Sequence, residues 1–480
     1  MADFDDTSAE YRGAVQFLLG RIDYERADFM PSGGHGLKLD RMRQLLDRLG
    51  SPHLGLPTIH IAGTKGKGST AAIIAAALSA AGYRTGLFTS PHLERMEERI
   101  AIDGLRCSGK ELVNLVEQIR PVVEAMDRAA ASGAGEQGPT YFEIITAMAM
   151  LHFAQCKADA VVLEVGLGGR LDATNVCLPR VSVITSISFD HTKQLGNTLT
   201  AIAGEKAGII KPGVPVVSGV VEQEPRDVIR EVCRQRQCRL VELHRDFDFS
   251  YWSPRHLEQT AEHGKLDFRY HFGGVSLGFE NLSLSLTGHH QAANTAVALA
   301  AVAELKRAGW KIPEDAIRKA LAEMVWPARV EVVARRPVVV LDAAHNPASI
   351  AALLRTLDES FRVARRMLIF ATTRDKDLRG MLSLLLDRFD RVVFTRYLDN
   401  PRAVPPEELQ SLAFELTGRR YPTYAEPAAA WEAIRTQAAS NDLICITGSF
   451  FLAADMRRTM AARAIQFAGG LPGLGSAESP

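Results

Sequence analysis

The chain has 480 residues, too many for one ordinary core, so two or three domains are expected. Hydrophobic residues make up 46% and charged residues 23%, the balance of a soluble globular protein rather than a disordered or membrane-embedded one. Lys plus Arg total 56 and Asp plus Glu total 56, so no global field favours nucleic acid or an acidic membrane, and any anionic ligand must be met by local groups.

Met1 to Arg12 is acidic and lacks an apolar core, so it does not read as a secretory signal. Thr58–Ala62 reads as a short buried strand that enters a glycine-rich loop, with a helix pattern from Ser69. The alanine-rich stretch Ala71–Ala81 ends at Gly82 and is too short to span a bilayer. Thr85–Phe88 is the next strand. Ala158–Val165 is a continuous apolar run of the kind a parallel sheet buries on both faces, and Val181–Ser186 and Val214–Ser218 repeat it. Strands alternating with helices predict a parallel, doubly wound sheet. Leu240–Leu286 is polar and aromatic with short alternating runs, which suggests antiparallel strands or an insertion. A long helix follows over Gln291–Ala308.

Trp326-Pro327 breaks the pattern, because proline disfavours helix at the residue before it. Beyond it Val338–Leu341, Met367–Phe370, Arg391–Thr395 and Leu443–Thr447 form a second strand series. The expected fold is therefore α/β, a P-loop parallel-sheet ATPase domain followed by a smaller Rossmann-like α/β domain. The expected boundaries are 1–325, a linker over 326–330, a C-terminal domain over 331–466, and a disordered Gly/Pro/Ser-rich tail over 467–480. The cysteines at 107, 156, 177, 233, 238 and 445 show no metal-knuckle or CxxC spacing and read as reduced, structural residues of a cytoplasmic protein.

Gly63-Thr64-Lys65-Gly66-Lys67-Gly68-Ser69-Thr70 lies between a predicted strand and a helix. Its glycines let backbone N–H groups close on phosphate oxygens, the helix N-terminus adds partial positive charge, and Lys67 can reach the outer phosphates. A tight turn with incidental lysines is the plainer alternative. The loop is not the generic P-loop: Ile61 stands where that pattern wants a glycine, and Gly68 follows the lysine in place of Ser or Thr. Glu164 lies inside the apolar run VVLEVGLGG, where a carboxylate is costly unless it is paired or binds a metal. Taken singly, several other candidates have ordinary readings. Ser90 could be a cap, His191 a satisfied core histidine, Lys206 a surface lysine and Asn294 a first-turn helix residue. Tyr141 and Phe142, after a glycine-rich stretch, could form a helix-start staple, or sit on a mobile loop that receives a flat ring.

The GTxGKGS loop resembles that of the Mur ligase superfamily, and the glycine after Lys67 points to its folate branch, the folylpolyglutamate and dihydrofolate synthases. Lys65 replaces the asparagine usual there. The resemblance extends over nearly the whole chain. It implies ATP contacts from Gly63, Thr64, Gly66, Lys67, Gly68 and Ser69, with Asn294 of the LTGHHQAAN segment on the adenine. It also implies that Arg329 and Asp342 bind ATP, Asp342 through the DAAHNP segment in which Ala343 replaces a glycine. Two magnesium ions are implied, with Ser90 of TSP, Glu164 of EVGLGG and His191 of FDH as metal ligands. Lys206 of GEKAGII matches a carbamylated lysine and, with Lys67 and His345, is expected among the catalytic residues. Asp375-Lys376-Asp377 matches a further family signature whose role stays open.

For the acceptor, Thr140, Tyr141, Phe142 and Glu143, together with Leu171, Asp172 and Ala173 of LDATN, match the pterin-binding segments of the bacterial enzymes. The implied reaction is ATP-dependent joining of L-glutamate to dihydropteroate, to the glutamate chain of folates, or both, through an acyl phosphate. The implied protein is a cytoplasmic monomer that binds pterin or folate substrate and glutamate, but neither nucleic acid nor membrane. A peptidoglycan Mur-type amino-acid ligase is the nearest alternative; the GKGS loop and LDATN argue against it. A nucleotide-binding switch without ligase chemistry would not need Arg329 and Asp342.

Overall fold

A computed structural model of the chain describes residues 8–23, 39–133, 137–398 and 400–466. The tail expected to be disordered lies outside them. The chain divides into two compact units. The first comprises the described residues up to Tyr251 with Leu266–Ser285 and His290–Met324; the second comprises Trp252–Lys265, Leu286–His289 and the residues from Val325 onward. The expected boundary at 325 places 252–265 and 286–289 in the first domain, whereas the fold assigns them to the second unit. Local hydrogen bonds explain the first of these: Leu257 donates its N–H to the Ser360 carbonyl at 3.0 Å, and Ser253 bonds Glu359 at 2.6 Å.

The first unit is built on an eight-stranded sheet. Its strands are β1 (Thr58–Ala62), β2 (Thr85–Phe88), β3 (Ile100–Ile102), β4 (Leu105–Arg106), β5 (Ala160–Glu164), β6 (Pro179–Ile184), β7 (Val216–Ser218) and β8 (Leu240–Glu242). Their spatial order is β4-β3-β2-β5-β1-β6-β7-β8. From β2 to β8 every pairing is parallel, while β3 and β4 add an antiparallel edge. The central strands are buried at every position because helices cover both faces, so no exposed face alternates with a buried one. One of those helices, Lys67–Ala80, is buried along most of its length and therefore reads as apolar on all sides.

The region expected to be antiparallel or inserted proves composite. Leu240–Glu242 joins the parallel sheet as its edge. β9 (Phe247–Trp252), β10 (Gly264–Phe272) and β11 (Val275–Leu284) form a separate three-stranded sheet, with Gly273-Gly274 turning β10 into β11. The following helix, His289–Arg307, buries Glu304 completely; Tyr270 and Arg239 satisfy its carboxylate at 2.5 Å each.

In the second unit, β12 (Glu331–Arg335), β13 (Val338–Leu341), β14 (Arg366–Phe370), β15 (Arg391–Phe394) and β16 (Leu443–Thr447) lie in the order β12-β13-β16-β14-β15. Four pair in parallel, and β12 runs antiparallel to β13. β12 escaped the sequence reading because its five residues are all only half-buried and carry charge at both ends. Apolar clusters fill both faces of this sheet.

Candidate active site

Four adjacent parallel strands, β2, β5, β1 and β6, end on the same edge of the large sheet. In a parallel sheet that edge is where ligands bind, because the loops leaving the strands diverge there. Leaving β1 is the loop Gly63–Gly66, leaving β2 is Thr89-Ser90, ending β5 is Glu164, and leaving β6 is Thr185–His191. Sequence segments more than 120 residues apart thus share one crevice.

The loop after β1 is zipped to the segment after β6. Thr64 donates its N–H to the Ser186 carbonyl at 2.7 Å, and Lys65 N–H donates to Ser186 Oγ at 3.1 Å. Thr64 Oγ1 accepts from Ser188 N–H at 3.0 Å, and Thr185 Oγ1 donates to the Lys65 carbonyl at 2.6 Å. Lys65 Nζ lies 2.6 Å from Asp190 Oδ2, so the lysine that replaces the usual asparagine forms an ion pair with the FDH segment. Neither partner had been assigned a role from sequence, and no local signal links positions so far apart. Gly66 turns the chain into the helix with φ +82°, and a Cβ there would stand 2.1 Å from Asn294 Oδ1. The residue expected to contact the adenine therefore lies directly against the loop. Asn294 is itself oriented by Gln291, whose Oε1 accepts from its Nδ2 at 3.1 Å.

Glu164 is 4% exposed. Its Oε2 accepts the Ser90 N–H at 3.0 Å, and its Oε1 lies 4.0 Å from Lys67 Nζ. A carboxylate is costly to bury unless it is paired or binds a metal, so its place at this strand end suits a cation site. The Ser90 hydroxyl and the Glu164 carboxylate are hard oxygen donors, which fit magnesium. His191 fits it less directly. Its ring is 43% exposed and lies 3.8 Å from Asp190, whose carboxylate is the harder donor of that segment.

Lys206, in the last turn of the helix Leu199–Ala207, is 4% exposed and donates to the Gly63 carbonyl at 2.9 Å. Burial first, and then the neighbouring positive charge of Lys67, lower its pKa to about 7. It is thus a buried amine close to neutrality, not a surface lysine.

The expected acceptor residues divide. Thr140-Tyr141-Phe142-Glu143 does not sit on a mobile loop: it opens the helix Tyr141–Gln155. Thr140 and Glu143 form a capping box, and Glu143 also pairs with Arg41 at 2.8 Å in a buried contact. Tyr141 is 1% exposed and packs under the Arg99 guanidinium. Phe142 remains half-buried, beside Phe88 and so close to Gly166 that a Cβ on Gly166 would meet its ring at 2.4 Å. Of the four, only Phe142 is placed to offer a ring to a ligand; the helix start absorbs the others. Asp172 is 3% exposed, accepts N–H groups of Leu167 and Thr174 at 3.0 Å each, and takes the Thr174 hydroxyl as a further donor. Burial raises its pKa despite these bonds. Ala173 is buried and Leu171 half-buried beside it.

In the second unit Asp342 directly follows β13 and is 6% exposed, accepting N–H groups of Val330 at 2.9 Å and Ala344 at 2.8 Å. Burial raises its pKa against the opposing charge of Arg329. The Arg329 guanidinium covers the Phe450 ring at 4.7 Å, and the His345 ring lies 5.9 Å from that same ring. Phe450 thus touches both Arg329 and His345. The only sequence hint of this was its place just after strand β16.

Family models match in the same layout. The Mur ligase middle domain matches residues 61–302, and the Mur ligase glutamate ligase domain matches residues 328–450. The chain is 37% identical over 455 residues to the dihydrofolate synthase/folylpolyglutamate synthase of Bacillus subtilis, covering 94% of this chain and 99% of that protein. Among solved structures, Mycobacterium tuberculosis folylpolyglutamate synthase complexed with ADP and AMPPCP superposes with a TM-score of 0.82 at 33% identity, covering 94% of this chain and 98% of that one. Escherichia coli FolC in complex with DHPP and ADP gives 0.78 at 29% identity, covering 95% and 99%.

Proposed function

The chain belongs to the Mur ligase family, in its dihydrofolate synthase/folylpolyglutamate synthase branch, and from that premise we propose how this ATP-dependent ligase works. It joins L-glutamate to dihydropteroate, to the glutamate chain of a folate, or to both. The observation that carries the residue assignment is the shared edge of β2, β5, β1 and β6, where a phosphate-binding loop, a buried carboxylate and a near-neutral lysine converge.

A carboxylate is a poor electrophile, so the acceptor must first be activated. Transfer of the γ-phosphoryl group of ATP to it yields an acyl phosphate and ADP. The amino group of glutamate then attacks the acyl carbon, the tetrahedral species collapses, and phosphate leaves as the amide forms. Lys67 and the N–H groups from Gly66 to Ser69 offset charge on the transferring phosphoryl group. Asn294 reads the adenine. Ser90 and Glu164, with His191, would hold magnesium, which supplies further neutralisation of phosphate charge when bound. Lys206, once carbamylated, would add an anion on that side of the loop. Phe142, Leu171, Asp172 and Ala173 line the pterin side, and Arg329, Asp342 and His345 are the second unit's contributions to ATP binding and phosphoryl transfer. All six cysteines are free, and no helix among the described residues is long and apolar enough to cross a membrane, which supports a cytoplasmic setting.

The test is coupled ADP release from the purified full chain. ADP should form only when ATP, glutamate and a pterin carboxylate are all present, with dihydropteroate and tetrahydrofolate assayed separately to divide the two ligations. Turnover on a nucleotide-sugar peptide precursor without any pterin would instead assign the peptidoglycan reaction.

A further inference from the structure

Cysteine spacing along the chain gives no metal pattern, but folding creates one. Cys107 follows β4, and Glu111 lies in the first turn of the helix Gly109–Ser132. His152 lies in the last turn of the helix Tyr141–Gln155, and Cys156 is its C-cap. Ligand atoms of Cys107, Glu111 and His152 all stand within 4.8 Å of one another. Cys156 Sγ is 3.8 Å from His152 Nε2. We propose that Cys107, Glu111, His152 and Cys156 bind a thiophilic divalent cation of the zinc class.

The donor set is one that zinc accepts: two sulfurs, one imidazole nitrogen and one carboxylate oxygen. Zinc–ligand bonds of about 2.0–2.3 Å put tetrahedral ligand atoms about 3.3–3.8 Å apart, so Cys107, Glu111 and His152 have to close by no more than roughly 1.5 Å. Side-chain rotation of Glu111 and Cys156 supplies that movement, because Glu111 is exposed and Cys156 only partly covered. Cys107 at 2% exposure and His152 at 6% form the fixed inner half. Both cap bonds that Glu111 accepts, from the Ser108 N–H and hydroxyl, fall on Oε2, which leaves Oε1 to turn toward a cation. The exposed pair gives the ion its way in. Bound metal would tie the start of one long helix to the end of the helix whose first turn carries Phe142.

The experiment titrates the reduced, chelator-treated full chain with cobalt(II), a spectroscopic substitute for zinc, and then adds zinc. We expect one equivalent of cobalt to produce a sulfur-to-cobalt charge-transfer band that zinc abolishes. Cys156→Ser, at a partly exposed position, should keep its fold by circular dichroism and lose affinity by about tenfold or more, the scale of lost metal ligands and their supports. Cys107→Ser should do the same, Glu111→Gln should weaken binding while keeping the helix cap, and Cys238→Ser should bind normally. Absence of a charge-transfer band in the folded wild-type chain overturns the proposal. So does a band that survives Cys156→Ser and Cys107→Ser undiminished, which would place the ion on other cysteines.

Discussion

Lys206 shows how far its surroundings set a residue's chemistry. Reaction with carbon dioxide requires the free amine, and a pKa of about 7 leaves much of the amine neutral near physiological pH. Lys206→Ala is expected to lose ligase activity, with acetate or formate restoring part of it by occupying the vacated anion position. Carbon-13 labelling with bicarbonate reads the carbamate directly; an unlabelled amine together with full activity in Lys206→Ala would remove the assignment. The same residue fixes a pH dependence in the unmodified, nucleotide-free chain. Its folded pKa lies below the ordinary value of 10.5, so between about 7 and 10.5 the unfolded chain binds more protons. The cost to folding is therefore complete below pH 7 and disappears as pH rises through 10.5. Lys206→Met should flatten that part of the stability curve in urea titrations at graded pH. Lys67→Ala removes the loop's outer-phosphate cation, a charge-assisted contact worth about 2–3 kcal/mol. It should lower ligation by about 30- to 160-fold or more in a chain that melts normally, and near wild-type turnover at saturating ATP would contradict it. Glu164→Gln keeps the shape and removes the charge, so the magnesium dependence of turnover should shift to higher concentration while pterin affinity changes little.

At the scale of elements, the start of the helix Lys67–Ala80 and the start of the helix Tyr141–Gln155 do different work. The first is open at its N-terminus, with Gly66 in the left-handed region and no side-chain cap, so its N–H groups remain for a ligand. Gly66→Ala meets both a backbone conformation costly for alanine and the Asn294 side chain, and calorimetry should find ATP affinity lost with little change in the rest of the fold. The second helix is closed by Thr140 and Glu143. Thr140→Ala should cost about 1 kcal/mol of stability, read as a lowered melting temperature. Phe142→Ala, on the half-buried side of the same turn, should instead raise KM for the pterin substrate with a smaller change in melting. If the two effects exchange places, the capping residues and not the ring form the acceptor contact.

At the scale of the whole chain, both units must serve one reaction if the ligase assignment of Arg329 and Asp342 holds. Arg329→Ala is expected to lower ATP-dependent ligation severely while the first unit keeps its stability, monitored by urea unfolding; unimpaired turnover would confine nucleotide chemistry to the first unit. Much of this organisation was legible in the sequence, for identifiable reasons. β1, β2, β13 and β16 match their predicted spans because short runs rich in apolar and β-branched residues, set between loop and helix patterns, are a local signal. The glycine loop was legible because phosphate binding needs consecutive residues. What only tertiary structure decided are relations between distant positions: Lys65 with Asp190, Lys206 with the Gly63 carbonyl, Glu143 with Arg41, and Cys107 with His152. The same holds for the attachment of Trp252–Lys265 to the second unit. Local sequence sets backbone propensity and burial pattern, whereas the charge state and role of a side chain depend on which groups the fold brings within a few ångströms of it.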